Sequence, residues 1–258
     1  MLWRVLQSNG GGLPADARVV FANTGKEAPE TLAFVRDCGN FWGVPITWLE
    51  WQLDGSARVV DFHSASRAGE PFAALIAKRN YLPNPVARFC TVELKILTIE
   101  RHLRASGWGE WDSMIGVRAD EPRRVAKMRA DPKGGRGAGS RCLPLADVGV
   151  IAADVGAFWR EQPFDLALPN ISGVTMHGNC DLCFLKGAHQ VMSLIAERPS
   201  RAIWWAAMES SITNAKIQNG GRFRSDRPSY AAMAGYAQDQ VDVFGHADDE
   251  AAACYCGE

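Results

Sequence analysis

No apolar run in the chain approaches the about 20 residues that a membrane-spanning helix needs, so no membrane partner is expected. The opening stretch, Met1 to Leu6, is too short an apolar segment for a secretory signal. Excess charge of either sign is absent as well. Against 28 Lys and Arg stand 29 Asp and Glu, a net charge of −1, which implies no whole-molecule attraction to nucleic acid or an anionic surface. None of the five histidines clusters in sequence with carboxylates, which leaves no hydrolytic constellation. Internal repeats are missing. The seven cysteines come without an export signal, so reduced thiols in metal or catalytic use are expected, with the cytoplasm as the compartment.

What is present suits a globular chain. Hydrophobic residues make up 47% and charged ones 22%, and 258 residues allow one large domain or a domain with a substantial appendage. Residues 2–7 read as a helix stopped by Ser8 to Gly12, and Ala17 to Ala22 as a short buried strand. Pro29 fits the first turn of a helix whose N-terminal end suits Glu27 and Glu30. Leu32 and Val35 form its inner stripe, with Phe34 beside it. Gly43 to Pro45 breaks that helix, and residues 46–51 and 58–62 resume as strands. Strand, helix, strand at this spacing is a βαβ unit, so the expected class is α/β, a parallel sheet with helices on its faces.

Residues 70–79 read as a short helix. Thr91 is expected to N-cap the next one, with Val92, Ile96, Ile99 and Leu103 along one face and Gly107 at its end. A strand over residues 112–117 runs into Arg118. Residues 118–141 hold eight Arg or Lys against three acids and read as a solvated loop or a lid over an anionic ligand. Beyond Leu145 the strand signal fades into helices near 151–160, 181–197, 201–210 and 228–238. The division expected is an α/β domain over 1–148 and a helical, cysteine-bearing region over 149–258.

Cys180 and Cys183 lie three apart, the bite that a tetrahedral metal or an iron–sulfur cluster needs. A single CxxC also fits a redox pair or buried thiols. The chain ends Cys254-Tyr255-Cys256-Gly257-Glu258, so two close pairs supply four thiolates, which would pin the tail to the middle. An all-thiolate set suits zinc and iron–sulfur alike. Cys38, Cys90 and Cys142 read as small buried hydrophobes.

In open α/β sheets, ligands sit outside the carboxyl ends of the strands. Asn23-Thr24-Gly25 and Arg118 occupy such positions. Thr24 and Gly25 offer a hydroxyl and backbone N–H groups at a helix entrance, though a plain βα turn would look the same. Arg88, Lys95 and Arg118 are cations near predicted strand or helix ends, suited to oxyanions, with plain surface cations as the alternative. Arg88 and Arg118 are expected to face one crevice with Thr24.

Three segments, in order, resemble one family. They are Phe21 to Val35 (with Thr24-Gly25 and Pro29), Arg88-Phe-Cys90 followed by Leu94-Lys95, and Ile115-Gly116-Val-Arg118-Ala-Asp120-Glu121. Together they resemble the phosphoadenosine phosphosulfate (PAPS) reductase family of the adenine nucleotide α-hydrolase-like superfamily. Gly178 to Lys186 and the cysteine-ending tail look like phage and bacterial relatives of that family. The resemblance implies a three-layer, HUP/Rossmann-like domain that binds an adenylyl nucleotide, ATP or PAPS. It implies sulfur chemistry, either sulfonucleotide reduction or ATP-dependent thiolation of a nucleic acid, with a reductant protein or a nucleic-acid substrate as partner. It also favours a four-iron, four-sulfur cluster over zinc on Cys180, Cys183, Cys254 and Cys256.

Two departures qualify that implication. The family's opening phosphate loop, reading like Ser-Gly-Gly-Lys-Asp-Ser between a strand and a helix, has no counterpart; Ser8 to Gly12 follows a helix and leads into a strand. The resemblance therefore places that loop upstream of Met1. Nor does a histidine follow Cys256-Gly257, as the reductase nucleophile's setting requires, so no catalytic residue is assigned. A non-catalytic, metal-stapled binding or regulatory module is the second expectation.

Overall fold

The computed structural model describes residues 1–132, 139–170, 175–178, 180–213 and 221–239. Val19–Ala22 (β1) lies parallel to Ile46–Trp51 (β2), in register from Val19 opposite Ile46 to Ala22 opposite Leu49. Between them runs the helix Pro29–Trp42 (α2), which follows Leu2–Ser8 (α1) in the chain. Pro29 opens α2 and Gly43, at φ 61°, closes it in the left-handed conformation that an L side chain resists. The βαβ unit is therefore formed as the punctuation predicts. The next strand, Ala57–Val60 (β3), is antiparallel to β2, with Trp48 opposite Val60. This corrects the all-parallel expectation. Residues 52–56 are too short for a parallel crossover and instead make a hairpin around Gly55. The result is a three-stranded mixed sheet in the order β1-β2-β3.

Strand β2 is buried on both faces. Trp48 packs with Leu32 of α2, whereas Trp51 joins a larger cluster with Leu94, Phe72, Trp205 and Tyr230. That second cluster is the main core, and it draws on residues from both sides of position 148. It contains Glu70–Arg79 (α3), formed over the residues expected, together with Ala188–Glu197 (α9), Arg201–Ser210 (α10) and Tyr230–Asp239 (α11). No helix among the described residues is long and apolar enough to cross a membrane.

The helix after α3 departs from its expected pattern. It begins as Phe89–Thr91 (α4), widens into a π-helical turn over Val92–Leu97, and continues as Thr98–Ala105 (α5). Thr91 lies inside the helix and Arg88 holds the cap position. The wider turn moves the inner face onto Thr91, Leu94, Thr98 and Leu103, leaving Val92 44% exposed. The Thr98 hydroxyl donates to the Glu93 carbonyl five residues back (2.7 Å), which satisfies a buried polar group inside the widened turn.

Ser113–Met114 (β4) pairs in parallel with Arg141–Cys142 (β5), in a second two-stranded sheet. Between them Pro122–Ala130 forms a helix (α6), within the stretch read as loop or lid. Val125 and Met128 share its inner face, and Met128, 1% exposed, packs with Val117 and Leu143. Residues 133–138, at the centre of the expected lid, lie outside the described residues. The short helix Pro144–Asp147 (α7) leads to Ala152–Arg160 (α8). Aromatic contacts of Phe158 and Trp159 with Trp42 and Phe34 lay α8 against α2.

Candidate functional site

The carboxyl end of β1 turns through Asn23 to Glu27 into α2. Asn23 is fully buried; its amide donates to Glu50 (2.7 Å) and to the Ser66 carbonyl (2.9 Å), and its side-chain oxygen accepts the Gly25 N–H (3.1 Å). Glu50 is the one charged residue of β2 and has no exposed surface. Asn23, the Ser66 N–H (2.6 Å), the Ser66 hydroxyl (3.0 Å) and Arg58 (2.7 Å) all donate to it, which offsets the cost of burying a carboxylate. Gly25 has φ 79°, and a Cβ there would meet the Gly69 backbone at 3.0 Å, so only glycine fits.

Glu27 closes the turn. Its carboxylate accepts from the Thr24 N–H (3.0 Å) and the Thr24 hydroxyl (2.9 Å), and Lys95 Nζ approaches it at 3.9 Å. The loop at Cys180 docks on this turn. Glu27 and Cys180 form an antiparallel β-bridge, and the Asp181 N–H donates to the Lys26 carbonyl (2.8 Å). Thr24 Oγ1 stands 3.6 Å from Cys180 Sγ. Lys26, 8% exposed, pairs with Asp181 (3.0 Å) and lies 5.0 Å from the centre of the Trp204 ring, while Trp205 Nε1 donates to the other Asp181 oxygen (2.8 Å).

The helix expected over 181–197 starts only at Ala188 (α9), and residues 181–187 form successive turns. Side chains take the carbonyls that helical N–H groups would have used. Tyr230 donates to Leu182 O (2.6 Å), and buried Arg227 donates to Phe184 O (3.0 Å) and Lys186 O (2.8 Å). Lys186 in turn donates to the carbonyls of Met176 (3.0 Å) and Gly178. Glu209 accepts the N–H groups of Phe223 and Tyr230; burial pushes its carboxyl above the ordinary range.

The structure thus brings Thr24, Gly25, Lys95 and Cys180 together. Cys183 follows in the same turn, 5% exposed, its N–H donating to Cys180 O (3.2 Å). Cys254 and Cys256 lie outside the described residues. Two buried thiols on one tight turn fit half of a four-thiolate set, and among the described residues no three metal-ligating side chains converge. Arg88 donates to the Pro85 carbonyl (3.1 Å). Arg118 directs its guanidinium to Asp120 (2.8 Å) and Glu121 (3.7 Å), and no hydrogen bond or ion pair among the described residues joins it to Thr24. Cys90 packs against the cluster that holds Cys180 and Cys183.

Sequence reasoning placed Asn23 at this strand end and missed Lys26, Glu27, Glu50 and Asp181 as parts of the site. Glu50, a lone acid in an apolar strand, carried the one legible signal, since an unpaired charge is not left inside a strand buried on both faces.

No family model and no solved structure matches the chain. It is similar to the uncharacterized nin region protein ORF290 of Escherichia phage lambda, at 29% identity over 202 residues. That match covers 74% of this chain, which spans 63% of the relative's length.

Proposed function

We propose that the chain is a phage-type, PAPS-reductase-like protein of the cytoplasm, with a HUP/Rossmann-like body that binds an adenylyl nucleotide beside a thiol centre. The observation that carries this reading is the 3.6 Å approach of Thr24 Oγ1 to Cys180 Sγ, fixed by the β-bridge between Glu27 and Cys180. A strand-end turn is where open α/β sheets hold ligands, and here it abuts the CxxC directly. Cys180 and Cys183, with Cys254 and Cys256, would hold an iron–sulfur cluster or zinc. A cluster would supply electrons or sulfur to a sulfonucleotide or a nucleic-acid substrate. Buried Lys26 and half-buried Asp181 position the cysteine turn against the sheet, while Lys95 balances Glu27.

Anaerobic purification followed by iron, sulfide and zinc analysis tests the thiol centre. Iron and sulfide in equal amounts are expected, lowered by Cys180→Ser and by Cys256→Ser; a metal-free protein would end the cluster reading. Calorimetry with ATP and PAPS tests the nucleotide. Arg118→Ala and Arg88→Ala are each expected to weaken binding by about 1.5–3 kcal/mol if they contact the ligand, the scale of a charge-assisted hydrogen bond.

The alternative is a non-catalytic, metal-stapled binding module, and one observation favours it. The Thr24 N–H and hydroxyl are already bound to Glu27, whose carboxylate would repel a phosphate placed there. Turnover of ATP or PAPS that Thr24→Val abolishes would rule this module out.

A further inference from the structure

Beside the start of α2 and the start of α10 lies a cleft of about 220 Å³ whose charges are unbalanced. Lys26, Arg67, Arg198 and Arg201 line it, against the carboxylates of Glu27 and Asp181. Both carboxylates are already engaged, Glu27 by Thr24 and Lys95, Asp181 by Lys26 and Trp205. Arg67 is held by groups that position it without cancelling its charge, whereas Arg201 has an exposed carboxylate partner. Arg67 donates to the carbonyls of Ala65 and Phe62 and lies 5.0 Å from the Phe62 ring centre. Arg201 Nη1 is buried with no hydrogen-bond partner; the nearest carboxylate, Glu197, is 3.6 Å away, 51% exposed, and also 3.3 Å from His177. Arg198 is exposed at the rim, with no carboxylate partner among the described residues. The 14-residue α2 presents its N-terminus here without a side-chain cap.

We infer that this cleft is a docking site for a phosphate or sulfate group, carried by a free anion or by a small ester such as a nucleotide. Guanidinium forks match the oxygen edges of a tetrahedral oxyanion. The partly buried position of Arg201, whose side chain is 15% exposed, strengthens that attraction over what exposed cations give, while Lys26 is paired with Asp181. The inference goes beyond the proposed function, because it needs no thiol centre and takes only Lys26 and Glu27 from the strand-end turn, with the other cations of the cleft supplied by Arg67, Arg198 and Arg201. A protein free of metal would leave it standing.

The test is calorimetry on the full chain with four probes: inorganic phosphate, sulfate, AMP and ATP. Saturable binding of at least one is expected. Arg198→Glu, an exposed substitution that leaves folding intact, should weaken it about tenfold or more, and Arg67→Gln by a similar factor. Arg160→Glu, exposed at the end of α8, should leave it unchanged and so controls for net charge. Binding of phosphate and sulfate with this dependence marks a site for the free anion. Binding confined to AMP and ATP with the same dependence marks an ester-borne group. No saturable binding of any probe overturns the inference. So does ATP binding that survives both Arg198→Glu and Arg67→Gln, an outcome that would leave the nucleotide reading intact elsewhere on the molecule.

Discussion

At the end of β1 and just beyond β4 the chain makes the same local arrangement. A backbone N–H donates to a glutamate three residues on, Thr24 to Glu27 (3.0 Å) and Arg118 to Glu121 (2.9 Å), and a proline then opens the following helix. The two differ in what covers them. The Cys180 loop lies over the first, and the Glu27 side chain is 4% exposed. The second is left to its own neighbours, Arg118 and Arg124, with Glu121 at 19% exposure. Burial opposes ionisation of Glu121, but the Arg118 N–H and the Arg124 guanidinium outweigh it and hold the carboxyl below its usual range. A strand-end turn becomes a candidate site when a distant segment docks on it and removes water. Its own hydrogen bonds do not distinguish it.

The sharpest way to break this contrast is to remove each glutamate. Glu27→Ala strips partners from a buried N–H, a buried hydroxyl and Lys95, and should cost about 3 kcal/mol of stability. Glu121→Ala removes partly exposed pairs and should cost about 1 kcal/mol. Urea unfolding of the two variants measures both, and equal costs would show that the covering loop contributes nothing.

A smaller effect is expected where the covering loop is held from behind. Arg227→Ala removes a buried donor from the carbonyls of Phe184 and Lys186 and should cost about 2 kcal/mol. It should also loosen the cysteine turn, read as faster alkylation of Cys180 and Cys183 than in the unsubstituted protein. Unchanged reactivity would place the rigidity of that turn in the Lys26–Asp181 contact instead.

The last effect is confined to alkaline pH and concerns the buried Cys38 on α2. Burial, with the charge of Asp37 adding to it, pushes its thiol up to about 12. In the unfolded chain the thiol ionises near its ordinary value of 9.0, while the folded chain keeps the proton. Its contribution to stability is therefore complete below about pH 9 and is lost as pH rises toward about 12. Comparing the pH dependence of unfolding with that of Cys38→Ala should show this loss in the unsubstituted protein alone. In the folded protein at pH 8, Cys38 should resist iodoacetamide.

Elements bounded by local punctuation were legible in the sequence. Pro29 and Gly43 delimit α2, the apolar run at 46–51 is β2, and α3 covers residues 70–79 as expected. Where a neighbour in space set the outcome, the pattern misled. Leu94 and Thr98 replaced Val92 on the inner face because a π turn adds a residue to the winding. Met128 drew a helix out of a charged stretch because Val117 and Leu143 offered it a core. Residues 181–187 stayed in turns because Arg227 and Tyr230 took their carbonyls.

The same division runs through the candidate site. The sequence alone determined that Thr24 and Gly25 stand at a strand end, that two cysteines share one turn, and that charge is balanced over the whole chain. Those are properties of neighbours along the backbone or of composition. Only the tertiary structure decided that Cys180 rests on Thr24, 156 positions away, and that Lys26, Arg67, Arg198 and Arg201 meet around one cleft. Such contacts depend on how α9 to α11 close over Trp51 and Leu94, a burial of apolar surface shared by distant segments that no local pattern encodes.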